Sequence, residues 1–160
     1  MSVAALPSRV LSKLERVRWL GPLALRLSLG AVFVQSGWGK LHNLEQVTKY
    51  FGELGIPFPA FSAALSSTTE LVGGTLIGLG LLTRLAAVPL SIVMLVAIAT
   101  ARRPDIDGLL TFLAFIEVTY LAGFVWLMVA GAGKASLDAL LFGRGAAASR
   151  PVLRSSPPSA

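Results

Sequence analysis

Four ionisable side chains lie within apolar stretches of this sequence: Arg26, Lys40, Glu70 and Glu117. Inside a membrane segment such residues usually face a partner, a ligand or a proton path rather than lipid. Two cations and two carboxylates could together bind a polar head group or a small anion, or relay protons. The same residues could instead only fix helix register, because buried ion pairs can contribute nearly nothing to net stability.

Helical spacing places the two cations on a common stripe. Arg26, Gly30, Phe33, Gly37 and Lys40 recur at intervals that put them on one helix face. We expect this stripe to face the other helices, since a lipid-facing Arg26 or Lys40 would be costly.

Glu70 occupies a second stripe, which also contains Gly74, Ile77, Gly78 and Leu81. Gly74 and Gly78 form a GxxxG pair, which lets a neighbouring helix approach closely. An ionised acid in a span costs about 2.5 to 3.5 kcal/mol, whereas the large apolar residues of this segment together return roughly 4 kcal/mol. A glutamate facing lipid would consume most of that insertion energy, so we expect Glu70 to be buried.

Depth along the helices predicts which charges pair. At about 1.5 Å per residue, Arg26 lies roughly 8 Å from Glu70 in depth, toward the side of the N-terminus. Lys40 lies roughly 12 Å from it, toward the opposite side. We therefore expect Arg26 to be the direct partner of Glu70, and Lys40 to lie closer to Glu117. The predicted network of these four residues has five supporting neighbours. Three are expected as hydrogen-bonding neighbours, Gln35, Trp38 and Tyr120, and the other two are Gly74 and Gly78.

Composition indicates the environment of these charges. The chain has 160 residues, of which 54% are hydrophobic and 14% charged, and its mean hydropathy is +0.74. These values predict one membrane domain. The net charge of +6 comes with no nucleic-acid-binding motif, so we expect no nucleic-acid partner. The sequence contains no cysteine and a single histidine, His42, and we expect no metal site, no intrinsic cofactor and no catalytic residue.

Four segments have the length and hydrophobicity of membrane spans: residues 20–41, 61–82, 85–100 and 111–131. Only Thr83 and Arg84 separate the second from the third, which predicts a tight antiparallel hairpin. The predicted fold is an all-α integral membrane protein, a bundle of four transmembrane helices.

A short amphipathic helix is predicted between the first two spans, within residues 42–61. Its apolar residues recur at helical spacing: Leu44, Val47, Phe51 and Leu54. The charged residues of this segment fall elsewhere on the wheel, so we expect the helix to lie at the membrane interface.

The distribution of basic residues predicts the orientation. Nine lysines and arginines flank the spans on the side of the N-terminus and four on the other side, which places both termini in the cytoplasm. Residues 1–19 form a basic N-terminal segment, residues 20–142 the membrane domain, and residues 143–160 a tail whose composition predicts disorder. Ser136 and Asp138 in "GKASLD" are typical of a cytoplasmic turn and a helix cap.

Three stretches together resemble the DoxX family of small bacterial membrane proteins: "RLSLGAVFVQSGWGKL" (26–41), "GIPFPAFSAALSSTTELVGGTLIGLGLLTRLAA" (55–87) and "GAGKASLD" (131–138). The resemblance covers about residues 20–142 and implies a four-helix protein of the bacterial cytoplasmic (inner) membrane. The positions that fit the family pattern are Arg26, Gly37, Lys40, Glu70, Gly73, Gly74, Gly78, Arg84 and Asp138.

The resemblance also implies a redox association. Members of the family include a membrane subunit of a thiosulfate:quinone oxidoreductase and a component of an oxidative-stress complex. The expected function is that of an accessory membrane subunit of such a system, which is not catalytic alone and could hold a quinone head group or small anion. Its expected partners are the lipid bilayer, a redox enzyme and further copies of itself. Two alternatives stay open: a small proton-coupled transporter, and a structural membrane-stress protein without a ligand.

Overall fold

The computed structural model of the protein describes residues 15–141. Its elements are α1 (Leu20–His42), α2 (Leu44–Glu53), α3 (Pro59–Leu79), α4 (Thr83–Thr100), a 3-10 helix (Arg103–Asp105), α5 (Leu109–Ala114), α6 (Ile116–Ala130) and α7 (Leu137–Leu141). All regular structure in this part of the chain is helical, which confirms the all-α prediction. The predicted basic N-terminal segment falls mostly outside the described residues, and the predicted tail, 143–160, falls entirely outside them.

Helices α1 and α3 pack antiparallel with their backbones in contact. A Cβ added to Gly30 would lie 2.8 Å from the Cα of Gly78 and 2.9 Å from the carbonyl oxygen of Gly74. A Cβ on Gly37 would overlap the backbone of Leu71 and lie 2.7 Å from the Ser67 carbonyl oxygen. The close approach predicted at Gly74 and Gly78 is confirmed, and α1 is the helix that approaches.

The turn between α3 and α4 comprises residues 80–82, not Thr83 and Arg84 as predicted. Gly80, with φ of 69°, ends α3 in the left-handed region, which a glycine enters at little cost. Helix α4 begins at Thr83 because an aspartate from the far end of the chain, Asp138, accepts hydrogen bonds from the amides of Leu82 and Thr83. The second predicted span therefore extended three residues too far.

The fourth predicted helix, residues 111–131, is broken. Phe115 has an extended conformation (ψ 133°) between α5 and α6. The Arg102 guanidinium lies 5.6 Å from the centroid of the Phe115 ring and donates a hydrogen bond to Glu117, in the first turn of α6. The prediction of one continuous helix was wrong. The break is accompanied by contacts with Arg102, which lies elsewhere in the sequence, and the hydrophobicity of residues 111–131 gives no sign of such contacts.

The core lies where α1, α3, α4 and α6 meet. Its largest apolar members are Leu29, Phe33, Ile77, Leu90, Phe124 and Leu127. The ring of Phe33 contacts those of Phe124 and Tyr120 edge to face, with centroids 4.9 Å and 5.4 Å apart. These aromatic contacts join α1 to α6.

Helix α2 confirms the predicted amphipathic pattern. It packs against α3, and its half-buried residues include those predicted from the spacing: Leu44, Val47 and Phe51, with Leu54 directly after the helix. Glu45, Lys49 and Glu53 are exposed. The location of α2 at a membrane interface remains a prediction.

Polarity is inverted relative to a soluble protein. Arg26 and Glu70 are buried, whereas large apolar residues on every long helix are exposed, among them Leu27, Leu65, Leu85, Ile92 and Val129. Exposed apolar surface of this extent is typical of contact with lipid or a partner. Among the described helices, Thr83–Thr100 is both long and apolar enough to cross a bilayer, and Ile116–Ala130 is apolar but shorter.

Candidate functional site

Glu70 and Lys40 form an ion pair between α3 and α1. The Lys40 Nζ donates to Oε1 of Glu70 at 2.5 Å. The glutamate side chain is 1% exposed, whereas the lysine side chain is 34% exposed. The glycine contact explains this register: Gly37 touches both Ser67 and Leu71, so Glu70 lies at about the level of Gly37. Lys40 is almost one turn further along α1, and its long side chain reaches back to the carboxylate.

Two serines complete the surroundings of the Glu70 carboxylate. Ser36 donates from its Oγ to Oε2 at 2.7 Å, and Ser66 donates to Oε1 at 3.5 Å. Both carboxylate oxygens therefore have hydrogen-bond donors, as a buried polar group requires. Sequence reasoning missed both serines, although a signal exists: each precedes its charged neighbour, Lys40 or Glu70, by four residues, which places it one turn away on the same helix face.

Arg26 does not pair with Glu70, so the predicted partner was wrong. Its Nη2 donates to the carbonyl oxygen of Ala135 at 2.6 Å, after the end of α6. The depth estimate failed because glycine packing, not distance from the assumed span ends, sets the register of α1 on α3. Arg26 and Lys40 lie 14 positions apart on α1, or about 21 Å at the rise of a helix.

Glu117 pairs with Arg102 rather than with Lys40. The Arg102 Nε donates to Oε1 of Glu117 at 2.9 Å, and the Arg102 Nη1 lies 3.9 Å from a carboxylate oxygen of Asp105. This cluster joins the end of α4 to the start of α6. The predicted four-residue network is thus divided among three separate places in the fold.

The predicted supporting residues have mixed outcomes. Gln35 is exposed, and Trp38 is 59% exposed with its ring 4.3 Å from that of His42. Tyr120 packs against Phe33. Among residues 15–141, none of the three side chains hydrogen-bonds to a member of the predicted network, so their predicted role as its hydrogen-bonding neighbours was wrong. Gly74 lines the contact between α1 and α3, as does Gly78.

The residues 131–141, here called the strap, cross the turn between α3 and α4. Asp138 accepts from the Leu82 amide at 2.7 Å and from the Thr83 amide at 3.1 Å, and its own amide donates to the carbonyl oxygen of Gly80 at 2.8 Å. Ser136 accepts from the Ala139 amide at 3.1 Å. The predicted turn and cap are therefore confirmed, and Asp138 caps α4 rather than its own helix.

The Lys40–Glu70 pair has a definite chemical capacity. An ammonium group carries three N–H donors, and the one described hydrogen bond of Lys40 goes to Glu70. The group can therefore donate to a carbonyl or anionic oxygen of a ligand, while Glu70 holds it in place. Among residues 15–141, no three His, Cys, Asp or Glu side chains converge to hold a metal ion.

Comparisons with known proteins agree with this architecture. Residues 21–103, which contain Arg26, Lys40 and Glu70, match the DoxX family. The chain is 36% identical over 136 residues to the Mycobacterium tuberculosis protein named uncharacterized membrane protein Rv3486, which covers 78% of this chain and 83% of that one. It is 29% identical over 131 residues to the Escherichia coli inner membrane protein YqjF, covering 82% of this chain and 97% of that one.

A third relative carries a chemical name. CatD of Bacillus subtilis, provisionally named an oxidoreductase, is 34% identical over 83 residues, or 52% of this chain and 60% of CatD. No solved structure matches the chain. The family match over more than half of the residues, together with relatives named as membrane proteins, shows that this chain belongs to the DoxX family of membrane proteins.

Proposed function

We propose that this protein is an accessory membrane subunit of a redox system, in which the Lys40–Glu70 pair binds the polar head group of a quinone. One observation carries the proposal: the carboxylate is fully buried, while its cationic partner is one-third exposed. A pair that served only to join two helices would gain nothing from an accessible ammonium group. An accessible cation held by a buried anion is suited to a ligand that accepts hydrogen bonds.

The chemistry of a quinone fits this arrangement. Its carbonyl oxygens accept hydrogen bonds, and reduction places negative charge on them, which a neighbouring cation stabilises. Lys40 would donate to one carbonyl oxygen, and Glu70, fixed by Ser36 and Ser66, would orient Lys40 and exchange a proton. Because the sequence contains no cysteine, any thiol chemistry must come from a partner. The oxidoreductase name of CatD gives a further, weaker reason to expect a redox partner.

The proposed membrane arrangement has four spans with both termini in the cytoplasm. Helices α1, α3 and α4 are about 34, 31 and 27 Å long at the rise of an α-helix, and α5 with α6 forms the fourth, broken span. Exposed aromatic residues lie near the helix ends, where membrane proteins concentrate them: Trp38, Phe58 and Phe61 at the outer side, and Trp19 and Trp126 at the inner side.

Purification from the native membrane in a mild detergent tests this function. We expect the wild-type chain to retain quinone, measured by extraction and chromatography, and to bring a flavin-, metal- or thiol-containing protein with it. Lys40→Met should lose the quinone. Arg102→Gln is the matched control, because it removes the cation of another pair near the same end of the bundle. A wild-type protein that carries neither quinone nor redox partner would overturn the proposal.

The transporter alternative receives less support from the packing. A proton or solute path from Glu70 to the inner side along the α1–α3 interface would have to pass Gly30, where the two backbones touch. The structural alternative predicts that removing the charges changes stability and no ligand binding. The quinone measurement on Lys40→Met therefore separates it from the proposed function.

A further inference from the structure

We propose that Arg26 and Thr83 form a second binding site, closed in this structure by the strap, for an oxyanion of the phosphate class. The site is independent of the proposed quinone site, because Arg26 lies 14 positions before Lys40 on α1. Near the turn between α3 and α4, several polar side-chain atoms are buried without a partner among the described residues. Such atoms are uncommon in folded proteins, and each calls for an explanation.

Three of these atoms come from two side chains. Arg26 is 1% exposed, and its Nε and Nη1 have no hydrogen-bond partner within residues 15–141. Thr83 is fully buried, and its Oγ1 has none in that part of the chain either. Leaving donors of a guanidinium group unsatisfied in a buried place is costly. A ligand oxygen would satisfy them.

The two side chains lie around one turn. The Arg26 Nη1 packs directly against Gly80, so closely that a Cβ on Gly80 would overlap it. Gly80 in turn accepts from the Asp138 amide, and Asp138 binds the Thr83 amide. Both residues thus contact the same turn and the same strap.

The donor set indicates the class of ligand. A guanidinium group offers planar, permanently charged N–H donors that match phosphate and carboxylate oxygens. The hydroxyl of Thr83 adds a neutral donor, and the side chain of Asp138 is already engaged by two amides. Arg26 lies about 9 Å along α1 from its first residue, and its guanidinium group reaches the α3–α4 turn at that end of the bundle. The oxyanion could therefore be inorganic phosphate or the phosphate of a lipid head group.

The strap controls access in this proposal. It covers Arg26 through the hydrogen bond to Ala135 and is held to the turn by Asp138. A ligand that binds only the open form must displace these contacts, so weakening them raises its apparent affinity. Asp138→Ala should accordingly bind phosphate more tightly than the wild type does.

Equilibrium dialysis with radiolabelled inorganic phosphate tests the site, using the full chain in a neutral detergent. We expect saturable binding by the wild type, tighter binding by Asp138→Ala, and binding about tenfold weaker in Thr83→Val. Thr83→Val has nearly the same shape and loses a hydroxyl that has no partner, so its melting temperature should equal or exceed that of the wild type. Lys134→Gln is the charge control, because it removes an exposed cation of the strap; its binding should be unchanged.

Native mass spectrometry from bilayers containing phosphatidylglycerol separates the two sources of phosphate. Retention of this lipid by the wild type and its loss from Thr83→Val would assign the site to a head group, even where free phosphate binds weakly. Saturable dialysis binding without lipid retention would assign it to free phosphate. The proposal is overturned if the wild type and Asp138→Ala bind neither inorganic phosphate nor phosphatidylglycerol. It is also overturned if Thr83→Val binds these ligands as well as the wild type does.

Discussion

Lys40 on α1 and Glu70 on α3 form a 2.5 Å ion pair whose two members differ sharply in exposure, 34% against 1%. The ammonium group can turn toward water when its partner is removed, whereas the carboxylate cannot. Removing the lysine and removing the glutamate should therefore lower the stability by different amounts. Removing one member of a buried pair costs most when the charge left behind stays buried.

We predict that Lys40→Met lowers the free energy of unfolding by about 3 kcal/mol and Glu70→Gln by about 1 kcal/mol. The double variant should recover part of the loss of Lys40→Met, because no buried charge is left alone. Thermal denaturation in detergent measures all three. Equal losses in the two single variants would contradict the asymmetry.

Gly37→Ala should destabilise the protein by about 1 to 3 kcal/mol, because its Cβ would overlap the backbone of α3. Gly39→Ala is a matched control on the same helix, since an added Cβ there meets nothing within 4 Å. Alanine is the better helix former, so this control should leave stability unchanged or raise it. If denaturation shows the same loss of stability in both variants, the glycine contact does not set the packing of α1 on α3.

Asp138→Ala should lower the free energy of unfolding by about 1 to 2 kcal/mol, because α4 loses its cap. Asp138→Asn should lose less, since the amide oxygen still accepts one of the two hydrogen bonds. Glu45→Ala, which removes an exposed acid of α2, provides the comparison. A melting temperature for Asp138→Ala equal to that of Glu45→Ala would rule out the cap as a source of stability.

Purified protein in proteoliposomes should show no proton or solute flux above that of protein-free vesicles. The reason is the backbone contact at Gly30, which closes the interface between α1 and α3. Flux that is present in the wild type and abolished in Glu70→Gln would support the transporter alternative instead. A pH-sensitive dye inside the vesicles provides the measurement.

The absence of cysteine from the sequence makes the proposed topology directly measurable. A single cysteine at Lys49, on α2, should react with a membrane-impermeant maleimide on intact cells. One at Lys134, on the strap, should react only after the membrane is opened. The wild-type chain serves as the unreactive control, and the reverse pattern would invert the proposed orientation.

Periodicity predicted the faces of the helices well. The stripe of α1 and the burial of Glu70 follow from the cost of charge in an apolar segment, which depends on local sequence alone. The contact at Gly74 and Gly78 could also be predicted from the sequence, because small residues at that spacing commonly mark a close approach of two helices.

The sequence did not predict which side chains on different helices would contact each other. Arg26 was matched to Glu70 by counting from assumed span ends, but the register depends on how Gly30 and Gly37 fit against α3. The acceptor of Arg26, Ala135, lies 109 positions away, and a backbone carbonyl has no signature in a sequence. The break at Phe115 was hidden for a related reason, since its contacts come from Arg102 on another element.

The hydrogen bond from Arg26 to Ala135 also has a consequence for biogenesis. Arg26 lies on α1, yet its acceptor is translated only after α6. Until then the nascent chain holds an uncompensated guanidinium group. Incomplete translation products would keep this defect, so the Arg26 side chain is satisfied only once the strap has been made.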